Sequence, residues 1–269
     1  MSIEFLYSTG IVVNRDVIGD YTKLFDRIEK VDNSLLEFIV YRNWYDNMED
    51  ILRRLCNTGK RVPVFHSAKM IGDNFYLSDK KELGKYYDEF AKNCEYAVRL
   101  NSERIVLHLW EISNSDRNIE NNILAAFKCS EIAKEHSLIL SVETIPCEIS
   151  TPISVLKMIR EAGVDCGFTL DTKHLASHKE ISRIKEDWLW DDSYPELHFH
   201  IRDYVSEEMQ YGSLHPGEGN IDFQDMLKFV QNKGEHNYIT LEASSVKWEG
   251  EMFLHKCDQS IEYMKSLLR

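Results

Sequence analysis

The stretch "CGFTLDTKHLA", residues 166 to 176, runs as a buried-looking β-strand, stops at the acid Asp171, and reaches His174 three residues later. An ionised carboxylate at the mouth of a buried strand loses its hydration, so Asp171 is expected to be paired, bound to a cation, or unburied. Runs of the same kind recur along the chain: "IEFLYST" (3 to 9), "LLEFIVY" (35 to 41), "RVPVFHS" (61 to 67), "RIVLHLW" (104 to 110), "LILSVET" (138 to 144), "ELHFHIRD" (196 to 203) and "YITLEAS" (238 to 244). Between them lie segments of helical periodicity, such as "NMEDILRRLCNTG", "LGKYYDEFAKNCEYAVRL" and "FQDMLKFVQNKG", several closed by a glycine suited to a helix end. A last helix, "FLHKCDQSIEYMKSLL", follows the eighth run, and the sixth helical segment, "KEISRIKEDWLWDD", is the least regular. Strand then helix, eight times over, is the order of an α/β fold, the (β/α)8 TIM barrel. With no linker or low-complexity tract to divide it, the chain is expected to be a single domain over residues 1–269.

Composition sets the outer limits. Of 269 residues 43% are hydrophobic, enough for one large barrel core. The 45 acids against 32 Lys and Arg give a formal charge of -13, which favours uncharged or metal-chelated ligands over nucleic acid held by bulk charge. No apolar run approaches the length of a membrane span, and the N-terminus lacks the pattern of a signal peptide, so a cytoplasmic location is expected. Six scattered cysteines without a C-x-x-C pair read as reduced thiols.

In such a barrel the chemistry sits at the C-terminal ends of the strands. His66, His108, Glu143, Asp171, His200 and Glu242 fall at or near the ends of strands three to eight. Residues two apart on a strand share a face, which sets Val106 and Trp110 with His108, Ser141 with Glu143, Thr169 with Asp171, His198 with His200, and Thr240 with Glu242. Small or polar partners one layer deeper suit a site at the barrel mouth. Each of the six alone reads as a structural residue, as do His136, His178, His236 and His255 on helices or loops. Together, imidazoles and carboxylates converging on one mouth call for a cation, and Zn2+ or Mn2+ suits that donor set.

These residues resemble the xylose isomerase-like barrels, a group that includes endonuclease IV and many sugar epimerases and isomerases. The resemblance covers nearly the whole chain in element order and is carried by "VETIP", "TLDTKH", "HIRD" and "HPGEGNIDF". In the ketose epimerases of that group, the positions matched by Glu143, Asp171, His200 and Glu242 bind one metal. There the two glutamates also move the proton, and the position of His174 contacts the substrate. Endonuclease IV adds a second zinc through the positions of His66, His108 and Glu143, and a third through that of His174 and a D-x-H. Here the D-x-H would fall on Tyr211 and Ser213, with His215 displaced by two residues.

The resemblance thus implies a divalent-metal-dependent isomerase or epimerase of a sugar or sugar phosphate, working through a metal-stabilised enediolate. Glu143 and Glu242 are its catalytic acid and base, and Zn2+ or Mn2+ its cofactor, one or two per chain. His66 and His108 are the ligands of a second metal, and His174, Trp110, Arg202 and His215 the substrate-binding candidates. Arg202, outside the inner face by parity, reads as a phosphate contact or as the partner of a surface acid. The partner expected is a small-molecule sugar or sugar phosphate, with no membrane and with nucleic acid disfavoured yet left open, in a chain that can form a homo-oligomer. The alternative is an endonuclease IV-like zinc phosphodiesterase acting on abasic DNA. The stretch "SAKMIGDNFYLSDKK" (67 to 81) reads as a mobile lid or a surface loop, and "HPGEG" as a tight turn or an anion-facing loop.

Overall fold

Each apolar run becomes a strand: β1 (Ile3–Ser8), β2 (Leu35–Ile39), β3 (Arg61–His66), β4 (Arg104–Leu107), β5 (Ile139–Glu143), β6 (Gly167–Asp171), β7 (His198–Ile201) and β8 (Asn237–Leu241). All pair in parallel with their sequence neighbours, and β8 closes on β1, making a closed (β/α)8 barrel. The helices are α1 (Arg15–Gly19), α2 (Thr22–Ile28), α3 (Met48–Asn57), α4 (Met70–Leu77), α5 (Leu83–Arg99), α6 (Ile119–Glu135), α7 (Pro152–Glu161), α8 (Thr172–Ser177), α9 (Phe223–Lys233) and α10 (Glu251–Leu267). The computed structural model describes residues 3–13, 15–77, 82–111, 116–195, 197–206, 214–234, 237–243 and 251–269.

Local sequence explains the elements. In α3 the residues Met48, Ile51, Leu52 and Leu55 are buried, the i, i+3, i+4, i+7 stripe that lays a helix on a sheet. Asp222 caps α9 by accepting the Asp225 N–H, and Gly234, at φ 75°, ends it where a side chain would be strained. The irregular sixth segment resolves into two 3-10 turns, Ile181–Lys185 and Asp187–Trp190, which follow the short α8.

Alternation along the strands builds the barrel interior in layers. Leu6, Leu35, Val64, Val106 and Tyr238 form an apolar cluster. Beside it runs a polar belt: Arg104 donates to Ser141 Oγ at 3.3 Å, Ser141 Oγ meets Thr169 Oγ1 at 2.7 Å, Thr169 Oγ1 meets His198 Nδ1 at 3.1 Å, and His198 Nε2 meets Thr240 Oγ1 at 2.8 Å. The deeper partners expected to leave room beneath the site are therefore joined side to side.

The stretch after β3 differs from the expected lid or loop. Residues 70 to 77 form α4, with Ile71 and Phe75 buried, while residues 78 to 81 lie outside the described residues. A Cβ on Gly72 would stand 2.0 Å from His108 O, so only glycine lets α4 press on the backbone just past β4. Asp73 fastens the same contact by accepting the Glu111 N–H at 2.7 Å. Among the described residues no helix is long and apolar enough to cross a membrane. All six cysteines are free thiols, four of them buried.

Candidate metal centre

The barrel mouth brings together all six strand-end residues. One ligand atom from each of Glu143, Asp171, His200 and Glu242 lies within 4.8 Å of the others, and the same holds for His66, His108 and Glu143. Glu143 is the hub. Its Oε1 is 3.0 Å from His200 Nδ1, and its Oε2 is 2.6 Å from His108 Nε2 and 3.3 Å from His66 Nε2. Glu242, one residue past β8, has Oε2 3.6 Å from His200 Nδ1 and accepts from Ser8 Oγ at 3.3 Å.

The other nitrogen of each ring is taken by an outward acceptor: Ser67 O at 2.8 Å from His66 Nδ1, Glu111 Oε1 at 2.8 Å from His108 Nδ1, and a Glu37 carboxylate oxygen at 3.0 Å from His200 Nε2. A neutral imidazole has one N–H. Donated outward, it leaves a lone pair facing the oxygens of Glu143, which repel it. His108 and His200 are therefore stable there only if protonated or if a cation stands between them and the carboxylate. In the metal-free chain burial opposes the charged rings, but Glu143 and its neighbours overcome it, raising His108 to about 9 and His200 well above its ordinary value. Burial likewise raises Glu143, but His200 and His108 outweigh it and hold the carboxyl well below the usual range. Buried imidazole and carboxylate donors, each ring oriented from behind, fit a divalent cation.

Asp171 is fully buried and has two partners. It caps α8 by accepting the His174 N–H at 3.0 Å, and its other oxygen accepts from Arg202 Nη2. Arg202 thus pairs with a buried acid inside the mouth rather than with one on the surface, because β7 ends at Ile201 and strand parity no longer governs it. Its Nη2 is also 3.1 Å from His174 Nε2 and 3.8 Å from Glu242 Oε2. Burial holds the half-buried His174 down to about 3, so its ring is neutral. Half-buried Lys69, on the loop after His66, faces the same acids: burial lowers its pKa, but Glu242, Glu143 and Glu111 more than offset that.

The remaining candidates have partners of their own. Trp110 is buried and donates to Pro146 O at 2.9 Å. His215 turns its Nδ1 to Ser260 Oγ of α10 at 2.8 Å and joins neither ligand set, while Tyr211 and Ser213 lie outside the described residues. The "HPGEG" loop is a turn built on Asp203, which accepts the N–H groups of Gly217 at 2.9 Å, Gly219 at 2.8 Å and Ile221 at 3.1 Å. Those amides are not free for an anion. His136 and His178 bond to backbone groups and His255 to Gln259; His236 lies outside the described residues.

Sequence reasoning overlooked Glu37, Glu111 and Lys69. For Glu37 the signal was present, since "LLEFIVY" holds a lone acid inside an apolar run, the same anomaly that singled out Asp171. Glu111 and Lys69 lie on connections, where sequence gives no facing.

Fold and site together define a barrel with an imidazole and carboxylate mouth. The chain belongs to the xylose isomerase-like TIM barrel family, whose pattern matches residues 25–267. An uncharacterized protein of Methanocaldococcus jannaschii is 25% identical over 164 residues, a match spanning 57% of this chain and 55% of that relative's length. A D-tagatose 3-epimerase-like protein superposes with a TM-score of 0.76 at 19% identity, covering 99% of this chain and 97% of that one. D-psicose 3-epimerase from Clostridium cellulolyticum H10, solved with D-tagatose, gives a TM-score of 0.68 at 13% identity, covering 99% of this chain and 100% of that one.

Proposed function

We propose that this chain is a divalent-metal-dependent isomerase or epimerase of a sugar or sugar phosphate. The observation that carries the reading is the pair Glu143 and Glu242, from β5 and β8, which approach the single His200 Nδ1 at 3.0 and 3.6 Å. The family, and fold neighbours named as sugar epimerases, support it.

A divalent cation held by Glu143, Asp171, His200 and Glu242 would polarise adjacent carbonyl and hydroxyl oxygens of the sugar and acidify the C–H beside the carbonyl. Two carboxylates that reach the mouth from different strands can then remove that proton and return one. Among the described residues Glu242 accepts from the Ser8 hydroxyl and stands near the His200 ring and the Arg202 guanidinium, whereas Glu143 meets three imidazole rings. Neutral His174 and the guanidinium of Arg202 stand on the Asp171 side, where they can bind substrate oxygens. Lys69 adds a second positive charge suited to a phosphate or a developing oxyanion.

Incubating candidate ketoses and ketose phosphates with the manganese-loaded protein in deuterated water should give solvent exchange at the carbon beside the carbonyl. A broad panel with no exchange at full metal loading would sink the reading. A second reading, the zinc phosphodiesterase, is favoured by the set His66, His108 and Glu143. Cleavage of an abasic-site oligonucleotide by the zinc-loaded protein would establish it.

A further inference from the structure

Glu37 lies in the interior face of β2, fully buried, directly behind a central ligand. The register of β2 against β3 shifts between Leu35 and Glu37, beside Pro63, which has no N–H to give the ladder. Glu37 shares its face with Leu35 of the interior cluster, so alternation turns it inward. The carboxylate reaches His200 Nε2 at 3.0 Å and comes within 3.3 Å of His198 Nε2. Glu37, His198 and His200 also lie close enough to be considered as a deeper cation site. The belt argues against that, because both His198 nitrogens already bond to threonine hydroxyls, Thr169 at 3.1 Å and Thr240 at 2.8 Å. His200 Nε2 has Glu37 as its acceptor, and His200 Nδ1 faces the acids of the mouth.

We infer that Glu37 is a positioning residue: it accepts the Nε2–H of His200 and so fixes the tautomer whose Nδ1 lone pair faces Glu143, Asp171 and Glu242. An imidazole left free would divide between tautomers and rotate; this one is held from behind, and a metal ligand held so is a better donor. The inference rests on the metal reading above.

The test uses the whole chain loaded with Zn2+, which is diamagnetic. Nitrogen-15 correlation spectra, with His200 assigned against His200→Gln, should show a protonated Nε2 and a metal-shifted Nδ1. Zinc affinity, measured by chelator competition, should fall about tenfold in Glu37→Gln, whose amide oxygen can still accept, and about a hundredfold in Glu37→Leu. A parent that takes up no zinc overturns the metal reading and this inference with it. A parent that binds zinc with His200 protonated on Nδ1 overturns this inference alone and needs no variant to fold. Parental zinc affinity in both variants does the same.

Discussion

Arg202 lays its guanidinium against the buried carboxylate of Asp171, whose other oxygen caps the helix that begins at Thr172. The acid at the end of the strand is therefore met by a cation of the chain itself. Any divalent ion bound beside it shares Asp171 with Arg202.

Arg202→Met should leave Asp171 buried with only its helix cap. The metal-free protein is expected to lose about 3–5 kcal/mol, as when one partner of a buried ion pair is removed. Urea denaturation with and without Mn2+ checks this, because a bound cation should recover part of the loss. Equal losses in both conditions would mean that the ion does not share Asp171.

Asp171→Asn and His200→Gln remove central ligands while stability stays with the barrel below. Metal content should fall to background and activity with it, while the far-ultraviolet circular dichroism stays native. A variant with full metal content and turnover would show that the centre lies elsewhere.

The double change His66→Ala with His108→Ala separates one cation from two. With the central set intact, about one metal per chain should remain, since zinc is satisfied by about four ligands. Elemental analysis giving two metals in the parent and one in the variant would instead support the two-metal hydrolase.

Burial holds His198 and His215 down to about 4, whereas histidines of an unfolded chain protonate near about 6.5. The unfolded state therefore binds more protons in that window, and stability should fall as the pH drops from about 6.5 toward 4. His108, raised to about 9 in the metal-free site, works the other way: its contribution is full below about 6.5 and is lost as the pH rises through 9. Thermal unfolding across pH should show both limbs, with a divalent ion flattening the alkaline one. A metal-free protein equally stable at pH 6.5 and 9 would contradict the pairing of His108 with Glu143.

Gly72→Ala would set a methyl 2.0 Å from His108 O, and the obstacle is backbone rather than a flexible side chain. Overpacking of this kind costs about 1–3 kcal/mol. The displaced α4 should also disturb the Glu111 N–H bond to Asp73, and hence His108. Unchanged stability would show that α4 yields without strain.

The eight strands and six mouth residues were legible because both follow from period-two alternation and from the length of each apolar run. Asp171 and Glu143 could be placed at strand ends by counting, since on a strand position in sequence is position in space. Alternation stops where the strand stops. Arg202, one residue beyond β7, therefore turned inward against its parity, and Lys69 and Glu111 had no assignable direction.

What the sequence by itself determined is the barrel and the identity of its mouth residues, since burial on both faces of each strand and one stripe of each helix leaves little other closure. Which charge neutralises which was decided by the tertiary structure alone. Glu37 of β2 and His200 of β7 are 163 residues apart in sequence and meet only because the barrel closes. Asp203 likewise turned the glycine loop from an anion site into a structural turn by filling its amides. Hydrogen-bond partners across a closed barrel depend on register and on side-chain reach in three dimensions, and neither is written in the local pattern of any one strand.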